Sequence, residues 1–294
     1  MKKIVYILSV LYITAISCNR NNTGADSFGN FQAEEILVSA QTAGQVKAMY
    51  IEEGQKVEAG HLAAELDSTQ YWLKVTELRA RKEAIVAKRK TIIAQALVHE
   101  QQLKVLLKDI ERVQNMLKDG AATQKQLDDI NGQAEVVKKQ IAAVNSGLYS
   151  LNIEVDAINA GIAQATDMLE RTRIRVPVSG TILEKYIANG EIAAPGKPLF
   201  KMANLEYMEL KAYISGGQLS SIALGQDVKI KIDGADDKLL EYTGKVTWIS
   251  DQAEFTPKNI QTREERISQV YAMKVKVKNN GSIKINMPGE VYFK

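Results

Sequence analysis

Between Asp67 and Thr172 the chain carries two long heptad patterns separated by a short break, and few folds can accommodate them. In the second arm Leu127, Ile130, Ala134, Val137, Ile141, Val144, Leu148, Leu151, Val155, Ile158, Ile162, Ala165 and Leu169 follow one another at steps of three and four. Such steps put every one of them on a single helical stripe, the a/d seam of a coiled coil. The first arm is rougher. Leu78, Ile85, Ile92, Leu106 and Val113 stand at multiples of seven, and Ala96, Leu103, Ile110 and Leu117 run beside them. The break, Lys118-Asp119-Gly120-Ala121-Ala122-Thr123, offers a glycine suited to a helix C-terminus and a threonine suited to an N-cap. Two arms of similar length joined so tightly fold back as an antiparallel hairpin. At about 1.5 Å per residue the rod is on the order of 75 Å long. Such a rod suits a protein that reaches something distant better than it suits a globular enzyme.

The start of the chain differs from the rest. Lys2 and Lys3 precede an apolar run from Ile4 to Ile16, the charged and hydrophobic regions of a secretory signal. That run is about thirteen residues, short of the roughly 20 that a membrane-spanning helix needs. It ends at Ala15-Ile16-Ser17-Cys18, and Cys18 is the only cysteine of the 294 residues. Small residues before a lone cysteine resemble a bacterial lipobox, in which cleavage leaves the cysteine as a lipid-carrying N-terminus; the alternative is a free cysteine after an ordinary signal. One cysteine allows no disulfide within the chain. Loss of residues 1–17 removes Lys2 and Lys3, so the net charge of +3 falls to +1. This balance gives no pointer to nucleic acid. Residues 19–30 are polar and glycine-containing, as a tether would be. Asn19 gives no clear retention signal and does not settle which membrane holds the lipid; the inner membrane is the expectation, with the outer membrane left open.

A glycine frame repeats on either side of the hairpin. Gly44, Gly54 and Gly60 share spacings of ten and six with Gly180, Gly190 and Gly196. Val46, Ile51 and Leu66 match Ile182, Ile187 and Met202 at the same offset. Glycine at turns supplies positive φ or close approach, so a repeated frame means a repeated backbone path. Each half resembles half of a biotinyl/lipoyl domain, a flattened sandwich of two similar four-strand halves. In carrier domains the halves meet at a hairpin that displays a modified lysine. Here the long hairpin occupies that junction and no lysine stands in a carrier-type turn, so no prosthetic group is expected. Asp67-Ser68-Thr69-Gln70 at the exit is similar to a capping box.

A lipid-anchor signal, a split lipoyl domain and an inserted coiled-coil hairpin resemble the periplasmic adaptor family, the membrane fusion proteins of haemolysin D type, over essentially the whole mature chain. The resemblance implies an α+β multidomain chain: a long antiparallel coiled-coil α-hairpin inserted in a split biotinyl/lipoyl-like β-sandwich, followed by a small β-barrel. The expected boundaries are a signal peptide 1–17, a lipid-anchored tether 18–36, lipoyl-like halves 37–67 and 173–204, a hairpin 68–172 with its tip at 118–123, and a barrel 205–294. It also implies a bridge between an inner-membrane transporter and a TolC-like outer-membrane exit duct, working as a trimer or, more in keeping with the family, a hexamer.

In many such adaptors the tip carries Arg, then Leu four residues on, then Ser seven further, as the motif that docks to the duct. Arg112, Met116 and Thr123 fall at those spacings, with Met for Leu and Thr for Ser. Leu117 and the turn residue Gly120 complete the expected docking set. A cation, an apolar side chain and a hydroxyl at a helical tip can engage a partner's helix ends. The plainer reading makes Arg112 a solvated coiled-coil residue and Thr123 an N-cap only. In the second arm Asn145-Ser146-Gly147, Asn152, Asn159 and Gln164 leave a face poor in charge, open either to neighbouring hairpins or to solvent. His99 lies on the seam row of the first arm, where it either breaks register as a polar residue or senses pH. His61 lies in a distant turn, so two histidines and a lipidated cysteine build no metal site.

From Leu205 the pattern changes to alternation. Met208–Ile214, Asp227–Asp233, Tyr242–Ile249, Tyr271–Val277 and Glu290–Phe293 read as strands of a small barrel, with a short helical turn at 217–222. The turns at Leu224–Val228 and Met287–Val291 resemble those of the adaptor barrel. The charged excursion 253–266 resembles a loop signature of adaptors serving ABC-type exporters; as plain sequence it is a solvated loop whose charges cancel. Little sequence outside 31–38 remains for a separate membrane-proximal domain.

Catalysis finds no motif: no Walker loop, no convergent His/Asp/Ser set, no metal-ligand cluster. The eight methionines form no Met-rich tract, which disfavours a copper-handling adaptor. The expectation is a non-enzymatic adaptor without cofactors, with a structural coiled-coil envelope lipoprotein, or an adaptor of a proton-driven RND-type pump, as alternatives.

Overall fold

The computed structural model describes residues 24–234, 238–255 and 269–293. The expected signal peptide, Cys18 and residues 256–266 of the charged excursion lie outside them. In chain order the elements are β1 (Ser27–Gln32), β2 (Glu35–Ser39), β3 (Gly44–Met49), β4 (Lys56–Val57), β5 (Leu62–Leu66), α1 (Thr69–Lys118) and α2 (Gln124–Glu170). These are followed by β6 (Arg173–Arg175), β7 (Gly180–Lys185), β8 (Ile192–Ala193), β9 (Pro198–Ala203), β10 (Tyr207–Ser215), β11 (Asp227–Asp233), β12 (Leu239–Phe255), β13 (Gln269–Lys278) and β14 (Pro288–Tyr292). A 3-10 turn spans Gly216–Ser221. The described residues form two compact units. One holds Leu37–Val178 and Glu184–Lys201; the other holds the chain up to Ile36, Ser179–Leu183, and Met202 onward.

The hairpin consists of helices of 50 and 47 residues. Every seam residue of the second arm is buried or half-buried in α2, with Ala134, Val137, Leu151 and Ile158 the deepest. Both rows of the first arm are likewise covered in α1, around Ile85 and Ala96. The seam is tightest where Ile85, Leu151 and Ile158 pack together against Leu78, Ile92 and Val155. Such a pair has no other core, so its stability comes from this one stripe.

Two four-stranded sheets, ordered β2-β9-β7-β4 and β6-β5-β3-β8, form the split domain. The short strand of each half, β4 or β8, joins the sheet built on the other half. The glycine frame is met turn for turn: Gly54 and Gly60 have φ of 82° and 83°, Gly190 and Gly196 have 88° and 84°. All three apolar pairs matched by the repeat are buried. The hairpin enters after β5 and returns into β6, and these two strands pair with each other. The N–H of Leu66 donates to the carbonyl of Thr172 at 2.8 Å, which closes the root.

The root corrects one expectation. Asp67, Ser68 and Gln70 make no reciprocal capping box; Ser68 is the N-cap and its side chain makes no capping bond. Instead Asp67 Oδ1 accepts from the N–H and hydroxyl of Thr69 at 3.0 and 2.7 Å. A carboxylate two residues upstream satisfies an orphan helix donor as well as a box would.

In the other unit six strands close a barrel in the order β1-β10-β13-β12-β11-β14. Alternation drives it: in β10 Met208, Leu210, Ala212 and Ile214 point inward, and in β11 Val228, Ile230 and Ile232 do so. Each of these side chains other than Ala212 contributes roughly 1.5–3 kcal/mol by leaving water. Residues 27–32, expected in the tether, are the strand β1 that closes the barrel. Phe28 stands opposite Tyr213 on one side and Glu290 on the other, and Phe31 is fully buried. The polar, glycine-containing stretch Ser-Phe-Gly-Asn-Phe-Gln looks like linker because only one face of it, through Ser27 and Phe31, needs to be buried.

Candidate docking site at the hairpin tip

The tip is closed by two complementary caps. Where α1 ends, the N–H of Ala121 donates to the carbonyl of Met116 at 2.7 Å, and that of Gly120 to Leu117 at 3.1 Å. This Schellman pattern needs a left-handed residue, and Gly120 supplies it at φ 70°. Where α2 begins, Thr123 Oγ1 accepts from the N–H of Gln126, and Gln126 Oε1 accepts from the N–H of Thr123. The backbone of the turn is therefore satisfied internally, by Gly120 on one side and by the Thr123 and Gln126 side chains on the other.

Those side chains divide by exposure. Arg112 and Met116 are one turn apart and share a face of α1. Arg112 is 72% exposed, with one guanidinium nitrogen 3.2 Å from Asp109 Oδ1. Met116 is 41% exposed. Leu117 is half-buried on the seam, so of the two apolar tip residues Met116 is the one presented. Thr123 is exposed, but its hydroxyl is engaged as the cap acceptor; its proton is left to donate. Neutral amides bond the neighbouring charges: Lys118 donates to Asn115 at 3.4 Å and Gln124 donates to Asp128 at 2.8 Å. The tip thus presents a cation, a flexible thioether and a hydroxyl.

At the opposite end the hairpin is rooted by contacts that the sequence pattern did not reveal. The Tyr71 hydroxyl contacts Thr42 Oγ1 and donates to the carbonyl of Ala43 at 2.9 Å. Arg171 bridges Asp167 at 2.7 Å and Gln41 Oε1 at 3.0 Å. Asp67 Oδ2 lies 3.2 Å from Lys47 Nζ. The Thr69 hydroxyl, the Thr69 N–H and Lys47 together hold the Asp67 carboxyl down at about 2. A tyrosine and an arginine at the first and last turns of a hairpin are the available signal, but sequence spacing alone does not give their partners.

His99 lies midway along α1, and its Nδ1 is buried with no hydrogen-bond partner among the described residues. Those residues bring together no group of three or more metal-ligating side chains, and none of their helices is long and apolar enough to cross a membrane.

A rod of two seamed helices, rooted in a split sandwich and accompanied by a six-stranded barrel, defines the class of periplasmic adaptors of tripartite efflux systems. The chain belongs to the membrane fusion protein family: the model of the RND MFP barrel-sandwich hybrid domain matches residues 34–203, more than half of the chain. The family works between an inner-membrane transporter and an outer-membrane channel and acts as oligomers. Among its relatives is the UPF0194 membrane protein YbhG of Salmonella gallinarum, 24% identical over all of this chain and 98% of its own length. Among solved structures, MacA from Actinobacillus actinomycetemcomitans covers 90% of this chain and 76% of its own at 23% identity, TM-score 0.57. The membrane fusion protein Spr0693 from Streptococcus pneumoniae R6 covers 91% and 97% at 17% identity, TM-score 0.53. At those identities the two structures speak for the fold.

Proposed function

We propose that this adaptor is lipid-anchored through Cys18 to the inner membrane and links an ABC-type transporter there to an outer-membrane exit duct, with the hairpin tip as the docking end. The supporting observation is the exposed pair Arg112 and Met116 beside the Thr123 cap, at the free end of helices of 50 and 47 residues. The protein's part is mechanical. The seam stiffens the arm, the two caps fix the shape of the turn, and Arg112, Met116 and Thr123 supply charge, packing and a hydroxyl to the helical ends of the duct. Energy comes from the transporter, and neighbouring copies complete the conduit, six by family resemblance.

The test is Arg112→Glu in cells that depend on this system. Normal levels of the chain with loss of duct recovery in affinity purification, and loss of export, support the docking role. Undiminished recovery and export would sink it. For the anchor, Cys18→Ala should release the chain from inner-membrane fractions; retention there contradicts the lipid.

The choice of an ABC transporter rests on the resemblance of the 253–266 excursion. A second reading, a proton-driven pump, is favoured by the RND designation of the matching family model. Co-purification separates them: an ATP-hydrolysing partner supports the first, and a partner inactive toward ATP but sensitive to collapse of the proton gradient supports the second.

A further inference from the structure

One end of the barrel is the end at which the chain arrives from Cys18. The antiparallel pairings put the start of β1 at Ser27, the end of β10 at Ser215, the start of β11 at Asp227 and the end of β14 at Tyr292 all there. Only residues 19–26 separate Cys18 from β1. Whatever their path, eight residues reach at most about 30 Å.

The link from β10 to β11 covers this end. From Ser215 to Gln226 it reads Ser-Gly-Gly-Gln-Leu-Ser-Ser-Ile-Ala-Leu-Gly-Gln, twelve residues without a charge in a chain that is 25% charged. Its inner side belongs to the core: Ile222 is buried in the barrel cluster and Leu219 packs against it. Its outer side does not, since Ser220, Ser221, Ala223, Leu224 and Gly225 are exposed, Leu224 by 67%. The link is held at both flanks. Gln218 Nε2 donates to the carbonyl of Asp26 at 2.7 Å, which ties it to the incoming chain. The N–H of Gly225 donates to the carbonyl of Val246 at 2.8 Å, and the carbonyl of Gln226 accepts from the N–H of Val246 at 2.9 Å. Gly225, at φ 81°, turns the chain directly after Leu224. Trp248, two residues beyond Val246 on β12, is 42% exposed. The flanking charges among the described residues are chiefly acidic. Asp26 accepts the N–H of Phe293 at 2.6 Å, Asp227 faces Lys245 at 3.6 Å, and Asp251 is exposed further along β12.

We propose that this link rests on the lipid surface of the membrane that holds Cys18, with Leu224 entering the interfacial layer and Trp248 at the level of the headgroups. The occupant is lipid because the anchor keeps this end within about 30 Å of a bilayer. At that effective concentration one leucine suffices for a contact that it could not sustain on a free protein. An amphipathic tryptophan suits the same boundary. The acyl chains supply attachment, and the link decides which end of the barrel faces the bilayer. With carboxylates at its flanks the contact is apolar, so salt should leave it unchanged. The proposal rests on the lipid-anchor reading of Cys18.

The test uses the full lipoprotein, reconstituted alone into phosphatidylethanolamine–phosphatidylglycerol vesicles, with a thiol-reactive nitroxide at Ala223→Cys and, at the opposite end of the barrel, at Ser282→Cys. The ratio of oxygen to nickel-chelate collisions reads immersion. It should be severalfold higher at 223 than at 282, hold in high salt, and fall to the 282 value when Leu224→Asp is added. Equal ratios at the two positions, or indifference to Leu224→Asp, would overturn the contact. Immersion in native inner membranes but not in the vesicles would give the link to a membrane protein and overturn it equally. The wild type keeps the anchor question apart, because an acylated Cys18 takes no label. An unlabelled wild type with a wet position 223 removes this contact and leaves the anchor standing, whereas a labelled wild type removes the anchor and the contact with it.

Discussion

Thr123 and Gln126 cap each other. Gln126 Oε1 accepts the N–H of Thr123 at 2.8 Å while Thr123 Oγ1 accepts the N–H of Gln126 at 3.3 Å. One residue at the tip thus serves the fold and, on our proposal, the partner, and substitution can separate the two. Thr123→Ala should cost about 1 kcal/mol of stability, a fall of about 2–4 °C in melting temperature by circular dichroism. Thr123→Asp keeps a good cap but loses the hydroxyl proton. It should melt like wild type and recover less duct; equal recovery by both forms would leave Thr123 a cap only.

Gly120 is required for its backbone conformation. No atom lies within 4 Å of where its Cβ would be, yet its φ is 70°. Gly120→Ala should therefore destabilise the hairpin by about 1 kcal/mol through left-handed strain alone, and Gly120→Asn by less. Thermal melts of the two variants decide it, and an alanine variant as stable as wild type would show that the turn tolerates another geometry.

His99 is a polar break in an apolar seam, with Nδ1 buried and unpartnered among the described residues. Replacing it by leucine removes the unsatisfied group and extends the seam. His99→Leu should raise stability by about 1 kcal/mol or more, seen as a higher urea midpoint with unchanged slope. A fall would mean that the imidazole has a compensating role.

Asp67 ties the first turn of α1 to Lys47 and Thr69. Its carboxyl is lowered to about 2, below the roughly 3.9 of an unfolded aspartate. The sign follows: this stabilisation is fully present above about pH 4 and is lost as pH falls through 2. Asp67→Asn should unfold more easily than wild type at pH 7, and the two should converge below pH 2. A gap that persisted in acid would place the effect elsewhere than in the charge.

Gly29 lets β1 press against β10. A Cβ there would come within 2.1 Å of Lys211 O and 2.5 Å of Ala212 Cα. Gly29→Ala must push the strands apart, and overpacking of this kind costs about 1–3 kcal/mol or more. Increased hydrogen exchange at Phe28 and Tyr213 would report it, and unchanged protection would contradict the closure described.

The legible parts of the chain are those governed by local period. The α2 seam could be read residue by residue because a heptad row has no other use, and the repeated glycine frame because positive φ singles glycine out. Strands β10 and β11 were plain from alternation. β1 was missed because its evidence is distant: six residues with one buried aromatic make sense only when paired with strands near Tyr213 and Glu290. The same limit hid the root, where Tyr71 meets Thr42 and Arg171 meets Gln41. The true cap of α1 was missed by one position, since Asp67 and Ser68 are equally good candidates in sequence. At the tip the spacing of Arg112, Met116 and Thr123 was visible, but not which of Met116 and Leu117 is presented. That depends on where the seam leaves α1.

The central claim, that the rod's free end docks to the duct, is tested most directly by in-cell photo-crosslinking from two exposed methionine positions, 116 at the tip and 168 near the root. The account predicts an outer-membrane duct adduct from position 116 and none from 168. Adducts from 168 alone, or none from 116 in a cell where the system exports normally, would contradict it.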